Sequence, residues 1–271
     1  MIKNGLAVLT LALIAHLAYA DDYLSPTEER VRLSLGVMYL SSTTDIQLDS
    51  SAGLSGSPVN AESVLGLDSS DFEAKFQAMV RVGERNRLRF DYFTLDRTGQ
   101  KTLTSADAPI VLRDVVLQVG DPVQTDLSMR TLGITYEYSF IHNEKFELAA
   151  TLGINDTDIS SRARVSTATR HVDQSEDQAG PLPTIGFDTT YVISKRFYVD
   201  ARAQYFKLNV DDISGSLGFY EFDALYRLRP NVSFALGYTA VKADVTSRQT
   251  KNAGYFDFDS KGPEFFVRVA F

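Results

Sequence analysis

Val31, Leu33, Leu35, Val37 and Tyr39 alternate with Arg32, Ser34, Gly36 and Met38, and the same two-residue period returns until ten segments carry it. Successive side chains of a strand point to opposite faces, so each such segment has one apolar and one polar side. After residues 31–39 the segments are 72–82, 88–92, 132–140, 146–154, 185–193, 197–205, about 219–226, 232–240 and 265–271. In the second, Phe72, Ala74, Phe76, Ala78, Val80 and Val82 alternate with Glu73, Lys75, Gln77, Arg81 and Gly83. In the fourth, Leu132, Ile134, Tyr136, Tyr138 and Phe140 alternate with Gly133, Thr135, Glu137 and Ser139.

Composition alone suggests an ordinary soluble domain: 44% of residues are hydrophobic, 11% aromatic and none is Trp. Periodicity has to decide. The chain has no Cys, so an exported version must rely on its core, a metal or a closed hydrogen-bonded sheet. A formal charge of −8 without any block of Lys and Arg argues against a nucleic-acid partner.

Residues 1–20 supply one Lys, an apolar run from Leu6 to Leu17 and the triplet Ala18-Tyr19-Ala20. This is the layout of a secretory signal peptide, with cleavage expected after Ala20 and a single domain over residues 21–271. The apolar run is shorter than the roughly 20 residues of a spanning helix, and nothing after residue 20 reaches that length. Connections between segments alternate in length. Glu84-Arg85-Asn86-Arg87, Ile141-His142-Asn143-Glu144-Lys145, Ser194-Lys195-Arg196 and Arg229-Pro230-Asn231 are short turns, whereas 49–71, 104–122, 160–183, 210–215 and 242–262 read as outer loops. Short turns on one side and longer loops on the other match a barrel set in the bacterial outer membrane, with turns in the periplasm.

Alternation by itself does not say which face meets lipid. Aromatic residues at segment ends (Tyr39, Phe72, Tyr92, Tyr138, Phe140, Phe146, Tyr191, Phe197, Tyr205, Tyr226 and Tyr238) suit a lipid–water boundary. At the end of the chain, Phe265, Val267, Val269 and Phe271 occupy alternate positions. This resembles the terminal signal of bacterial outer-membrane β-barrel proteins, a last strand ending in an aromatic. The resemblance implies that Gram-negative barrel-assembly machinery reads it, and no narrower subfamily is matched. The expected fold is all-β, a closed antiparallel transmembrane barrel of ten strands, with eight or twelve as alternatives. In hydrocarbon each unpaired N–H or C=O costs several kcal/mol, so segment 31–39 must pair with 265–271. Residues 101–129 keep no clear phase, and an outer hairpin that extends the barrel above the membrane is the expectation for them.

The opposite faces then line the lumen. Inward candidates are Lys75, Arg81, Arg89, Asp91, Arg97, Glu137, Glu147, Asp188, Asp200, Arg202, Glu221, Asp223, Arg227 and Arg268. Their mixed signs favour a pairing network over a one-sign ring that selects ions. Eight strands leave an interior just filled by side chains, so ten should be closed or barely wet. No catalytic, cofactor or metal site is expected. Of three histidines, His16 leaves with the signal, His142 lies in a turn and His171 in an outer loop. The omptin proteases resemble this ten-stranded architecture, and their site pairs a His–Asp couple with acidic residues at the outer rim. His171-Val172-Asp173 echoes the couple, but no second carboxylate pair matches by motif. The His and Ser pattern of outer-membrane phospholipase and lipid A-modifying families is not visible. Asp211-Asp212 and Asp257-Phe258-Asp259 offer carboxylates without calcium-loop spacing. The expected role is structural or surface interaction, with lipid and lipopolysaccharide as partners; alternatives are a narrow channel and a rim-site hydrolase.

Overall fold

The computed structural model describes residues 24–50, 55–107, 109–113, 115–166, 171–249 and 253–271; Ala18 and Ala20 lie outside them. In chain order the elements are β1 (Val31–Leu48), β2 (Val59–Asn60), the helix α1 (Ala61–Leu65), β3 (Ser70–Val82), β4 (Asn86–Thr102), β5 (Ile110–Leu112) and β6 (Val115–Leu117). There follow β7 (Pro122–His142), β8 (Phe146–Ser166), β9 (His171–Val192), β10 (Phe197–Val210), β11 (Ile213–Arg229), β12 (Val232–Ser247) and β13 (Gly254–Ala270).

Ten of these, all but β2, β5 and β6, form one antiparallel sheet in which each strand pairs with the next. The sheet closes where β13 meets β1, with Leu33 opposite Val269, Leu35 opposite Val267 and Val37 opposite Phe265. Closure runs to the last residue: Phe271 N–H donates to the Val31 carbonyl at 2.9 Å. The first and last expected strands are therefore partners, and no edge is left for lipid to solvate. At the turn end, side chains stand in for missing ladder bonds. Asn143 Oδ1 accepts from Lys145 N and Phe146 N, each at 3.0 Å, and Ser194 Oγ accepts from Phe197 N at 3.1 Å.

The long strands β7 and β8 are built in two zones of opposite polarity. On the turn-side part of β7, Leu132, Ile134, Tyr136, Tyr138 and Phe140 are exposed on the outside while Thr131, Thr135, Glu137 and Ser139 are buried inside. Further along the same strand Gln124, Ser128 and Arg130 face out, and Val123 and Leu127 are buried inside. β8 repeats the inversion. Leu152 and Ile154 are outside over Thr151 and Asn155, then Ser160 and Arg162 are outside with Val165 buried. Since strand side chains keep their face, only the surrounding medium can change: lipid around the first zone, water around the second. From Val31 to Tyr39 the eight steps span ~26 Å of strand, or ~20 Å across lipid at a usual ~40° tilt. Aromatic pairs mark the margins of this band, Tyr39 against Phe72 at 4.8 Å and Phe197 against Tyr226 at 4.9 Å between ring centres.

The water-bathed zone corrects the expected loops. Most of 160–183 and 242–262 is strand, in β8, β9, β12 and β13, and residues 210–215 contain only a tight turn at Asp211 and Asp212. A search for apolar-outward alternation sees only the lipid zone, because above it the apolar residues have moved to the inner face. Segment 101–129 contains the ends of β4 and β7 and the small hairpin β5–β6. That hairpin packs with α1 over the loop end of the barrel, burying Leu65, Leu67, Leu103, Ile110, Leu117 and Val123 in one cluster. α1 starts on Asn60, whose side chain accepts from Ser63 N at 3.0 Å, and ends on Gly66 at φ +72. Beneath it the buried Arg97 donates to Glu62 at 2.6 Å and to Thr44 Oγ1 at 2.9 Å, tying the cap to the wall. In the same cap the Lys101 ammonium, with the Thr104 hydroxyl and N–H, holds the Asp107 carboxyl down at about 2.

Candidate functional site

Among the described residues, the largest set of buried charged side chains converges in the lumen of the lipid zone, and they come from almost every strand. Alternation sets their direction: a residue flanked by two lipid-facing residues must point inward. At the centre stands Arg87, 1% exposed, whose guanidinium lies 2.8 Å from Glu137, 2.9 Å from Glu147 and 2.8 Å from Asp188. Arg81 grips Glu147 through both terminal nitrogens at 2.7 Å. Arg89 pairs with Glu137, with Asp188 at 3.1 Å and with Asp91 at 2.9 Å. Arg202 extends the set, 3.3 Å from Asp91, 3.5 Å from Asp188 and 3.3 Å from Glu221. Ser139 donates to Glu147 at 2.5 Å, and His142 Nδ1 approaches the same carboxylate at 3.2 Å.

Two smaller groups flank this network. Toward the turn end, Arg268 donates to Asp200 at 2.5 Å, and Arg227 and Arg32 hold Glu29 at 2.5 and 2.8 Å. Glu29 belongs to residues 24–30, which fold across the barrel mouth; Ser25 Oγ donates to the Glu144 carbonyl at 2.6 Å and Arg227 to the Leu24 carbonyl at 2.5 Å. Toward the loop end, Lys75 lies 2.8 Å from Glu221 and 2.7 Å from Glu264, with Asp223 beside them. Above these the interior turns apolar, with Met38, Leu40, Leu95, Leu217, Val241 and Phe258 buried together. Two internal cavities border the charged layer, of about 30 and about 60 Å³. That is room for a few waters.

All the inward candidates named from sequence lie within these groups: Lys75, Arg81, Arg89, Asp91, Glu137, Glu147, Asp188, Asp200, Arg202, Glu221, Asp223, Arg227 and Arg268, with Arg97 higher up in the cap. Periodicity missed Arg87, which follows the polar run Glu84-Arg85-Asn86 and reads as turn, although its spacing of two from Arg89 is the signal that could have found it. It also missed Glu29, in a segment without alternation, and Glu264, which follows Pro263. Of the terminal residues, Phe265 is exposed to lipid, Val267 and Phe271 are half-buried and Val269 is buried against its neighbours.

His171 begins β9 opposite Ser166, and the Asp173 carboxylate is taken by Arg162 at 2.8 Å through two nitrogens. Asp257 faces Asp45 and Asp244 across neighbouring strands on the outer wall, and Asp211 sits at φ +48 in its turn.

No protein-family model and no curated protein matches the chain. Among solved structures it is similar to the outer membrane protease OmpT from Escherichia coli, at TM-score 0.57 and 12% identity over 93% of this chain and 100% of that one. The transport unit of the autotransporter AIDA-I from Escherichia coli matches at TM-score 0.43 and 8% identity, covering 99% of each chain. The attachment invasion locus protein Ail of Yersinia pestis matches at TM-score 0.34 and 11% identity, over 88% of this chain and 99% of that one. At such identities the likeness is one of fold. With its inverted walls and its closed ten-strand sheet, the chain has the fold of an outer-membrane β-barrel, matched to no narrower family.

Proposed function

We propose that this chain is a plugged outer-membrane barrel with a structural or surface-interaction role, acting through the part that rises above the lipid. The carrying observation is the filling of the lumen. A charged layer, an apolar layer and a cap lie in series, and the mouth at the turn end is crossed by residues 24–30. The cavities that border the charged layer measure about 30 and about 60 Å³, room for a few waters among the packed side chains. What such a molecule offers its surroundings is its outside. Below the boundary it presents the apolar belt to lipid. Just above it, exposed Lys207, Lys242 and Lys261, the last two also paired with Asp259, support the phosphates of lipopolysaccharide as the partner proposed for the outer leaflet. The last strand, ending in Phe271, is proposed as the segment read by the assembly machinery during insertion.

Planar-bilayer recording separates this from the channel alternative. Purified folded protein is expected to give no conductance steps with lipopolysaccharide in one leaflet. Stepwise openings from protein that shows the heat-dependent gel shift of an intact barrel contradict the plugged reading.

A further inference from the structure

The charge balance inside the barrel is uneven: cations outnumber anions at the turn end, where Arg32, Arg227 and Arg268 meet Glu29 and Asp200, and the largest negative surplus lies toward the loop end. Arg81, Arg87, Arg89 and Arg202 face Asp91, Glu137, Glu147 and Asp188, four cations against four anions. Glu221, Asp223 and Glu264 have Lys75 as their own cation, and only Glu221 also reaches Arg202, which is shared with Asp91 and Asp188. An uncompensated carboxylate in a membrane-embedded interior is costly, and two of them beside each other more so.

The geometry shows where the missing charge fits. One carboxylate oxygen from each of Glu221, Asp223 and Glu264 lies within 4.8 Å of the others. Oxygens bound to one calcium ion at about 2.4 Å can be at most about 4.8 Å apart. Lys75 serves Glu221 Oε2 and Glu264 Oε2, while Asp223 Oδ1 and Glu264 Oε1 are fully buried and have no hydrogen-bond partner among the described residues. Asp223 and Glu264 are 1% and 2% exposed, so bulk water does not supply the partner. Position 237 also makes room: a Cβ on Gly237 would come within 1.9 Å of Asp223 Oδ1. Both cavities touch Glu221, giving a hydrated ion water for its remaining positions.

We propose that Glu221, Asp223 and Glu264, contributed by β11 and β13, hold a divalent cation of the calcium class inside the barrel. The ion neutralises the two surplus charges and fastens β11 to β13 across the intervening β12. This site is independent of the surface role proposed above, and its failure leaves the plugged reading in place.

The test is bound calcium on the whole folded barrel. Protein stripped with chelator, re-equilibrated with Ca2+ and desalted is assayed by elemental analysis, with the heat-shift gel as the folding control. The expected result is one ion per barrel, with affinity at least about tenfold weaker in Asp223→Asn and in Glu264→Gln and unchanged in Asp244→Asn, on the outer wall. No bound calcium in the wild type overturns the proposal, and protonated carboxyls then carry the balance. So does calcium that both lumen variants retain. Should neither variant fold, anomalous scattering from Tb3+ in wild-type crystals locates the ion. A peak among the three lumen carboxylates supports the site, and a peak elsewhere or none overturns it.

Discussion

Arg87→Ala is expected to destabilise the folded barrel by about 3–5 kcal/mol, the usual cost of removing one partner from a buried ion pair. Arg87 touches Glu137, Glu147 and Asp188, all buried, and its loss leaves them with Arg81, Arg89 and Arg202, which are already engaged. The energy lost is mainly the cost of stranded negative charge in a dry interior, more than the worth of three contacts. That distinction is measurable, since adding Glu147→Gln to Arg87→Ala should recover part of the loss. The exposed pair Arg130–Asp158 on the outer wall is the control, and Arg130→Ala should cost less than about 1 kcal/mol. Urea unfolding in lipid vesicles reads both. A cost below about 1 kcal/mol for Arg87→Ala removes the network from any account of what stabilises the lumen.

Ile134→Arg is expected to cost about 2–4 kcal/mol, because it places a guanidinium in the middle of the lipid band. Ser128→Arg, six residues along the same strand and on the same outer face, should change stability by no more than about 0.5 kcal/mol. A soluble barrel predicts no such step, since both positions would then face water. Equal costs at the two positions in vesicle unfolding count against the lipid boundary drawn between them.

Alternation made the lipid zone of every barrel strand legible in the sequence, from Leu33 to Phe265, because hydrocarbon tolerates only apolar side chains and each strand repeats that demand. The inward charges were legible for the same reason, since position alone assigns Glu137 or Arg202 to the lumen. The upper walls were not. In water the outer face of β8 carries Ser160 and Arg162, and Val165 belongs to the inside, so a reader following one phase sees a polar loop. Partners were also out of reach. That Arg87 meets Asp188, a hundred and one residues away, depends on register and barrel diameter, which no local pattern records. The carboxylate group likewise joins neighbours of separate strands, and Glu264 gave no sign of its place beside Pro263.

A chain without cysteine allows the central claim to be tested residue by residue. Single Cys substitutions from 122 to 142, spin-labelled in the folded barrel in vesicles, report collision with oxygen, which concentrates in lipid, and with a water-soluble nickel chelate. The expected record has period two throughout, with oxygen maxima at Leu132, Ile134, Tyr136 and Tyr138 and nickel maxima at Gln124, Asp126, Ser128 and Arg130. Oxygen access that peaks instead at Gly133, Thr135 and Glu137, or nickel access that continues unchanged through Ile134, contradicts a barrel whose apolar face is bathed in lipid.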